Sequence, residues 1–181
     1  MKIAASFLFM LALFQVAHAQ KFISKNSHVW FIASTPLENI VGNNSQAVSI
    51  LDPASGDIAF NLLVKSFEFK VALMQEHFNE NYMESDKYPK ATFKGKITGN
   101  AAIDYKKDGV YHADVSGDLT IHNVTRPVSV KGTVEVKGGI VSAKARFIVK
   151  PADYDIAIPA VVENKIAKEV EVNVDAVYSS N

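Results

Sequence analysis

The chain has 181 residues, of which 48% are hydrophobic, 21% charged and 10% aromatic. This is an ordinary globular composition, which argues against a disordered, collagen-like or low-complexity chain. The 19 basic residues balance the 19 acidic ones, and no basic block stands out, so we expect no nucleic-acid partner. The sequence contains no cysteine, which excludes disulfides, a thiol nucleophile and a zinc–thiolate site.

Residues 1–19 have the three-part pattern of a secretory signal peptide. Lys2 provides a positive start, an apolar run covers residues 3–16, and Ala-His-Ala at residues 17–19 forms a small-x-small cleavage site. The apolar run is too short to span a bilayer comfortably, so a cleaved signal is favoured over a membrane anchor. We therefore predict an exported protein, periplasmic or secreted, with a single domain over residues 20–181.

Two-residue periodicity dominates the rest of the chain. Between Val128 and Val136, for example, the even positions are valine or glycine and the odd positions are polar. Such alternation predicts a strand with one buried and one solvated face. The first two predicted strands are less regular than the others, and both faces around Trp30 are apolar. Eight segments are predicted to be strands: residues 22–34, 40–51, 58–64, 91–99, 111–121, 128–136, 140–149 and 170–178.

One segment has helical periodicity instead. Its apolar residues recur at intervals of three or four: Phe67, Val71, Met74, Phe78 and Tyr82. Polar residues occupy the positions between them, which is typical of an amphipathic helix. The spacing predicts a helix over residues 71–84 that ends before Pro89.

Eight strands with one apolar face each favour a closed arrangement. An open sheet would leave edges that invite aggregation, and closure into a barrel removes those edges. An eight-stranded barrel is just wide enough to be filled by side chains or to hold one small ligand. The inward residues are mostly small, so we predict room for a long apolar cavity. The predicted fold is mainly β: an eight-stranded antiparallel lipocalin-like barrel with one amphipathic helix, which helps to close one mouth.

Two motifs connect these elements. Asp-Lys-Tyr-Pro-Lys-Ala-Thr-Phe at residues 86–93 leads from the helix into a strand. Gly-Asp-Leu-Thr-Ile-His-Asn-Val-Thr-Arg-Pro-Val at residues 117–128 forms a strand, a tight link and the next strand. With these motifs in this order, the chain resembles the YceI-like family of exported bacterial proteins over residues 22–178. The resemblance implies a lipocalin-like barrel with an apolar tunnel that binds polyisoprenoid or other long-chain lipids.

The helix departs from the family pattern. Many members carry Arg-Asp-x-His-Leu-Arg there, and the matching residues 74–79 are Met-Gln-Glu-His-Phe-Asn. His77 is kept, whereas both arginines are lost. Because an arginine fork suits a pyrophosphate head group, we expect a neutral lipid, a carboxylate lipid or a quinone to fit at least as well as a diphosphate.

The predicted site consists of the apolar lining and one polar residue at the mouth. We predict that His77 forms a hydrogen bond with the ligand head group, the alternative being a helix histidine satisfied by a neighbour. For each apolar residue the alternative is plain core packing. The predicted ligand-binding residues are Phe60, Leu62, Met74, His77, Phe78, Phe93, Leu119, Ile121 and Phe147.

We predict no catalytic residues, no cofactor and no metal site. The sequence has no Gly-x-Ser-x-Gly, phosphate-loop or His-Glu-x-x-His motif, so an enzyme is disfavoured. The histidines at positions 28, 112 and 122 are spread along the chain, without the short spacing of metal ligands. The favoured function is to carry or sequester a long-chain apolar lipid without chemical change.

Several alternatives stay open. The same alternation with its apolar face outward would give an outer-membrane barrel. A filled barrel would be an interaction or structural protein of the cell envelope, and a weak lipid-ester hydrolase is less favoured. A homodimer is also open, because exposed apolar residues around Val29 and Phe31 would pair two barrels.

Overall fold

The computed structural model describes residues 20–36, 39–158 and 166–180. The predicted signal peptide at residues 1–19 lies outside them. A six-residue α-helix, α1 (Ala72–His77), continues as a π-helical turn over Phe78–Tyr82. Short 3₁₀ turns cover Val64–Ser66, Asn100–Ala102 and Pro151–Tyr154. The strands are β1 (Phe22–Ser34), β2 (Asn39–Leu51), β3 (Asp57–Leu63), β4 (Glu68–Phe69), β5 (Lys90–Thr98), β6 (Gly109–Ile121), β7 (Val124–Lys137), β8 (Ile140–Val149) and β9 (Val170–Ser180).

Eight of these strands form a closed barrel. Their order is β1-β9-β8-β7-β6-β5-β3-β2, and β2 pairs again with β1. Every pairing is antiparallel. The two-residue β4 adds to β2 beyond the end of β3, opposite Gly42 and Asn43. The predicted fold class, a mainly β eight-stranded antiparallel barrel with one helix, is confirmed.

The boundaries of the eight predicted strands agree with the structure to within two residues, except at the start of β7. Pairing between β6 and β7 already begins at Ile121 and Val124, whereas the sequence predicted a strand from Val128. His122 and Asn123 both have positive φ angles, of 52° and 63°. Two consecutive residues with positive φ form the kind of turn that matches the twist of a tight hairpin. The chain therefore reverses within two residues and β7 starts earlier.

The apolar faces of the strands point into the barrel and the charged faces point outward. In β7, Val130, Val134 and Val136 are buried, while Lys131 between them is exposed. On the outer face, Lys144 forms an ion pair with Asp175. This is the orientation predicted for a barrel that holds its apolar side chains inside. No helix within the described residues is long and apolar enough to cross a membrane.

The pair β1 and β2 does not follow this regular division into an apolar inner face and a polar outer face, as the irregular sequence pattern indicated. Register shifts interrupt the pairing of β1 with β2 between Ser24 and Val29. Ser49 faces inward and is buried, whereas Val48 and Ile50 face outward and are 40% and 41% exposed. The interior of the barrel along this seam is therefore partly polar.

Val29 and Phe31, around which exposed apolar residues were predicted to pair two barrels, do not themselves face outward. Val29 is buried, and both residues line the interior cavity. The opposite face of β1 carries Trp30 and Ile32, which are equally apolar. The sequence therefore does not show which row of this strand faces inward. A homodimer that uses Val29 and Phe31 as its surface is no longer supported.

The two ends of the barrel differ in what covers them. At one end lie the β2–β3 turn, residues 99–108 and the Gly138-Gly139 turn, and we call this the plugged end. At the other end lie residues 64–89 with the helix, the His122-Asn123 turn, and the described parts of the β8–β9 connection, and we call this the mouth.

The plugged end is packed solid. Tyr105 reaches in from residues 99–108, its ring centroid 5.7 Å from that of Phe22, and its hydroxyl donates to Asn100 Oδ1 at 2.7 Å. The hydroxyls of Ser49 and Tyr178 are 2.8 Å apart and hydrogen-bonded. Burial raises the pKa of Tyr105 to about 12 and also raises the pKa of Tyr178. The buried residues of this cluster are 0–8% exposed: Leu51, Ile58, Ile97, Ile103, Ala113, Val134, Val136, Val141, Ala176 and Tyr178.

Candidate ligand-binding cavity

A cavity of about 340 Å³ occupies the barrel interior on the mouth side of the plug. All nine residues predicted from the sequence line it. Six of them stand on the wall strands: Phe60 and Leu62 on β3, Phe93 on β5, Leu119 and Ile121 on β6, and Phe147 on β8. Met74, His77 and Phe78 line it from the helical segment. Their contact with a ligand stays a prediction.

Two glycines let the wall strands approach closely beside Phe93. Gly95 and Gly117 are paired across β5 and β6. A Cβ at Gly117 would lie only 2.3 Å from the Lys94 carbonyl oxygen, and one at Gly95 would lie 2.4 Å from Cζ of Phe93. Because Gly117 has no side chain, the two strands can approach closely, and because Gly95 has none, the Phe93 ring can lie along the wall. This arrangement leaves the centre of the barrel free.

Four phenylalanines form a lid cluster at the mouth: Phe31, Phe67, Phe69 and Phe78. Their contacting rings have centroid separations between 4.9 Å and 5.8 Å. Tilted and edge-on rings at such distances attract one another beyond simple burial. The cluster therefore fixes the helical segment on the barrel rim, and all four rings also line the cavity.

Three residues of the lid cluster were missed by the site prediction: Phe31, Phe67 and Phe69. Phe67 was counted within the helical periodicity, but it lies in the extended chain before the helix. Phe67 and Phe69 are two residues apart, which is strand spacing, and Phe69 pairs with Gly42 of β2. That two-residue spacing was the signal that could have identified them.

The helical segment is shorter and less amphipathic than predicted. The α-helix starts at Ala72 and the π-helical turn ends at Tyr82, within the predicted residues 71–84. Val71 and Leu73 are 45% and 56% exposed, so not every apolar residue faces the barrel. The amide of Met83 donates to the carbonyl of Phe78 at 2.9 Å, and both side chains line the cavity.

His77 lies at the edge of the cavity and is exposed. No hydrogen-bond partner of its ring occurs among the described residues, so the neighbour-satisfied alternative is not observed there. Of the two positions where many family members carry arginine, Met74 lines the cavity. Asn79 does not, and its Nδ2 donates to the Gln75 carbonyl at 2.9 Å. The mouth therefore offers an imidazole and a thioether in place of a cationic pair.

His122 is the polar residue of the mouth that the sequence prediction missed. It is buried in the β6–β7 turn. Its Nε2 lies 3.1 Å from Oε2 of Glu84, just after the helical segment. Its Nδ1 lies 3.3 Å from the carbonyl oxygen of Tyr154, in the 3₁₀ turn after β8. The Tyr88 ring packs edge-on against the imidazole, with centroids 4.2 Å apart. His122 therefore ties three segments of the mouth together.

No group of three or more side chains suited to metal binding occurs in residues 20–36, 39–158 and 166–180. His122 faces a single carboxylate and a backbone carbonyl. Among the lining residues, Lys144 directs its ammonium group away from the cavity, toward Asp175 at 3.4 Å. The lining that remains is almost wholly apolar.

A closed antiparallel barrel with an apolar cavity under a helical lid defines the lipocalin-like class of small barrels. Within that class, the chain belongs to the YceI-like domain family, whose model matches residues 14–178. The resemblance inferred from the two motifs is thus confirmed.

The chain is also similar to individual proteins. It is 32% identical over 87 residues to a UPF0312 protein of Pseudomonas putida strain W619. These 87 residues are 48% of this chain and 42% of that protein. It thus spans less than half the length of the curated relatives it matches.

Two solved structures share the fold at low sequence identity. A polyisoprenoid binding domain from Saccharophagus degradans superposes with a TM-score of 0.78 at 15% identity, covering 91% of this chain and 100% of that one. BcnA of Burkholderia cenocepacia superposes with a TM-score of 0.71 at 19% identity, covering 84% of this chain and 96% of that one.

Proposed function

We propose that this protein carries or sequesters a long-chain apolar lipid, with the tail held in the barrel cavity and no chemical change to the ligand. The observation that carries this proposal is the apolar cavity of about 340 Å³ beneath the lid cluster. Each methylene buried there contributes about 0.8 kcal/mol. A long tail therefore offsets the entropic cost of association without help from charged groups.

Isoprenoid, quinone and fatty-acyl tails are the candidate ligand classes. The fold shared with the Saccharophagus degradans polyisoprenoid binding domain supports an isoprenoid tail first. The ring-lined wall, with Phe60, Phe93 and Phe147, suits a branched and unsaturated chain as well as a straight one.

We propose a head group that is neutral or singly charged. Met74 lines the cavity where many family members carry an arginine, and a diphosphate needs paired cationic donors. His77 is the residue proposed to form a hydrogen bond with the head group. Binding of a polyprenyl diphosphate far more tightly than of the matching alcohol would contradict this part of the proposal.

We further propose that the protein is exported and acts in the periplasm or outside the cell. The support is the signal-peptide pattern of residues 1–19. Determination of the amino-terminal residue of the protein recovered from a periplasmic or extracellular fraction tests it. A mature chain that starts at Gln20 is the expected result, and an uncleaved cytoplasmic chain would contradict it.

Mass spectrometry tests the carrier function. The protein is purified without detergent from cells that naturally make it, and native and denatured spectra are compared for a released small molecule. We expect a stoichiometric apolar compound, whose mass distinguishes isoprenoid, quinone and fatty-acyl ligands. An empty protein that also takes up none of these lipids would overturn the proposal and favour a filled interaction barrel.

A matched pair of variants shows whether the compound occupies the cavity. Ala145 lines the cavity, and Ala145→Phe places a ring there. Ala101 is exposed at the plugged end, so Ala101→Phe adds the same ring away from the cavity. We expect Ala145→Phe to lose most of the compound and Ala101→Phe to keep it. Equal loss in both variants would indicate binding outside the cavity.

A further inference from the structure

We infer that the plugged end acts as a floor that sets the longest tail the cavity accepts. This inference rests on the proposed lipid-binding function and adds a determinant of chain length. The floor consists of four residues that line the cavity and also belong to the packed cluster of the plugged end: Ile58, Ile97, Ala113 and Val134. Among the described residues, they are the only buried members of this cluster that also line the cavity.

The layer beneath the floor leaves no path for a tail. Leu51, Val136, Val141 and Tyr178 belong to the same packed cluster but do not line the cavity. Beneath the floor the hydroxyl of Tyr178 is held by Ser49 at 2.8 Å, so its ring cannot turn aside without breaking a buried hydrogen bond. A tail therefore meets a closed surface rather than a second opening.

The floor is also more rigidly held than the mouth. Ile97 and Val115 are paired across β5 and β6, and Val134 and Ala143 are paired across β7 and β8. Strands in a continuous ladder with close-packed side chains shift little when a neighbour changes. The mouth, in contrast, is covered by a short helical segment and connecting turns. We therefore expect surplus ligand length to emerge at the mouth and not at the floor.

The strand geometry gives the depth available to a tail. β6 runs from Ala113 at the floor to Ile121 near the mouth. At roughly 3.3 Å per residue and a strand tilt of about 40°, this corresponds to about 20 Å along the barrel axis. Affinity is expected to rise about fourfold with each added methylene while the tail fills this depth. Beyond it, further carbons remain outside and the affinity stops rising.

The test uses straight-chain primary alcohols to find the chain length at which the affinity stops rising. We call this chain length the break. Alcohols from octanol to docosanol compete with a fluorescent naphthylamine probe for the whole protein freed of its endogenous lipid. Val134→Ala lowers the floor and is expected to move the break to longer alcohols by about two carbons, the number that the substitution removes. Ala113→Val raises the floor and is expected to move the break to shorter alcohols.

Val141→Ala is the matched control. Val134 and Val141 are 1% and 2% exposed and belong to the same cluster, so the same substitution costs similar stability at either site. Only Val134 lines the cavity, so Val141→Ala should keep the wild-type break. Where Val134→Ala fails to fold, Ile97→Val, which removes a single carbon, replaces it in the comparison with Val141→Ala.

The outcomes separate this inference from the proposed function. A break that moves outward in Val134→Ala, inward in Ala113→Val and stays in Val141→Ala supports the floor. A wild-type protein that binds the alcohols with no break, or a break that none of the floor variants moves, overturns the floor and leaves lipid binding intact. A wild-type protein that binds neither the alcohols nor any prenol overturns the proposed function, and the floor with it.

Discussion

The plugged end and the mouth are built from the same alternating strands, yet one is solid and the other encloses a cavity. At the plugged end, Ile103 and Tyr105 from residues 99–108 pack among the strand side chains. At the mouth, the ring of Phe78 contacts the rings of its three lid partners, and together they cover the opening. Alternation therefore determines which residues face inward, while the connecting segments determine whether the interior is filled.

The largest difference between the two ends should appear when the same side chain is shortened in each. Leu51→Ala at the plugged end is expected to lower the free energy of unfolding by about 4 kcal/mol, because it leaves a void among close-packed neighbours. Leu62→Ala only enlarges an existing cavity and is expected to cost about 2 kcal/mol. Urea unfolding of the ligand-free variants measures both. Equal losses would mean that the two ends are packed alike.

The plugged end should also dominate the loss of stability at high pH. Burial raises the pKa of Tyr178 and raises that of Tyr105 to about 12, whereas tyrosines in an unfolded chain ionise near pH 10. Between about pH 10 and 12 the folded state therefore retains more protons than the unfolded state. The free energy of unfolding then falls with rising pH, by about 1.4 kcal/mol per pH unit for Tyr178 alone.

A pair of variants isolates the contribution of Tyr178 to this pH dependence. Tyr178→Phe removes the ionising hydroxyl and should flatten the decline measured by urea unfolding at several pH values. Ser49→Ala removes the same hydrogen bond but keeps the tyrosine, so it should lower stability without flattening the decline. A wild-type stability that does not change up to pH 12 would contradict the dry packing of this end.

The smallest expected effect on stability lies at the mouth. His122→Ala removes the contacts with Glu84 and with the Tyr154 carbonyl and is expected to cost about 1–2 kcal/mol. Because these contacts tie the mouth segments together, bound naphthylamine probe should also dissociate faster, as measured by displacement with excess alcohol. His77→Ala is the control and should change stability by less than about 0.5 kcal/mol. Unchanged dissociation in His122→Ala would refute its role in holding the mouth.

The sequence predicted the barrel well because its strongest signal is local. In β7 and β8, valines and small residues alternate with polar or charged ones, so strand type, inward face and the two-glycine turn all follow from neighbouring positions. The six wall residues of the predicted site follow in the same way. Closure of the barrel was inferred from the number of one-sided strands, and that inference is confirmed.

What the sequence did not predict depends on distant contacts. The role of His122 requires Glu84 and Tyr154, 38 and 32 positions away, and no periodicity links them. The inward direction of Phe31 depends on the register of β1, whose two faces are equally apolar. Phe67 fits a helical spacing by chance, because its extended backbone becomes evident only from the pairing of β4 with β2.

Methyl NMR during a titration with farnesol tests most directly the claim that the mouth half binds a ligand and the plugged half does not. We predict large chemical-shift changes for the cavity methyl groups of Leu62, Leu119 and Ile121. We predict little change for Leu51 and Val141 beneath the floor, and for the outward-facing Val48. Changes as large in Leu51 or Val48 as in Leu119, or no change in any methyl group at saturating farnesol, would show that farnesol does not bind in the mouth half alone.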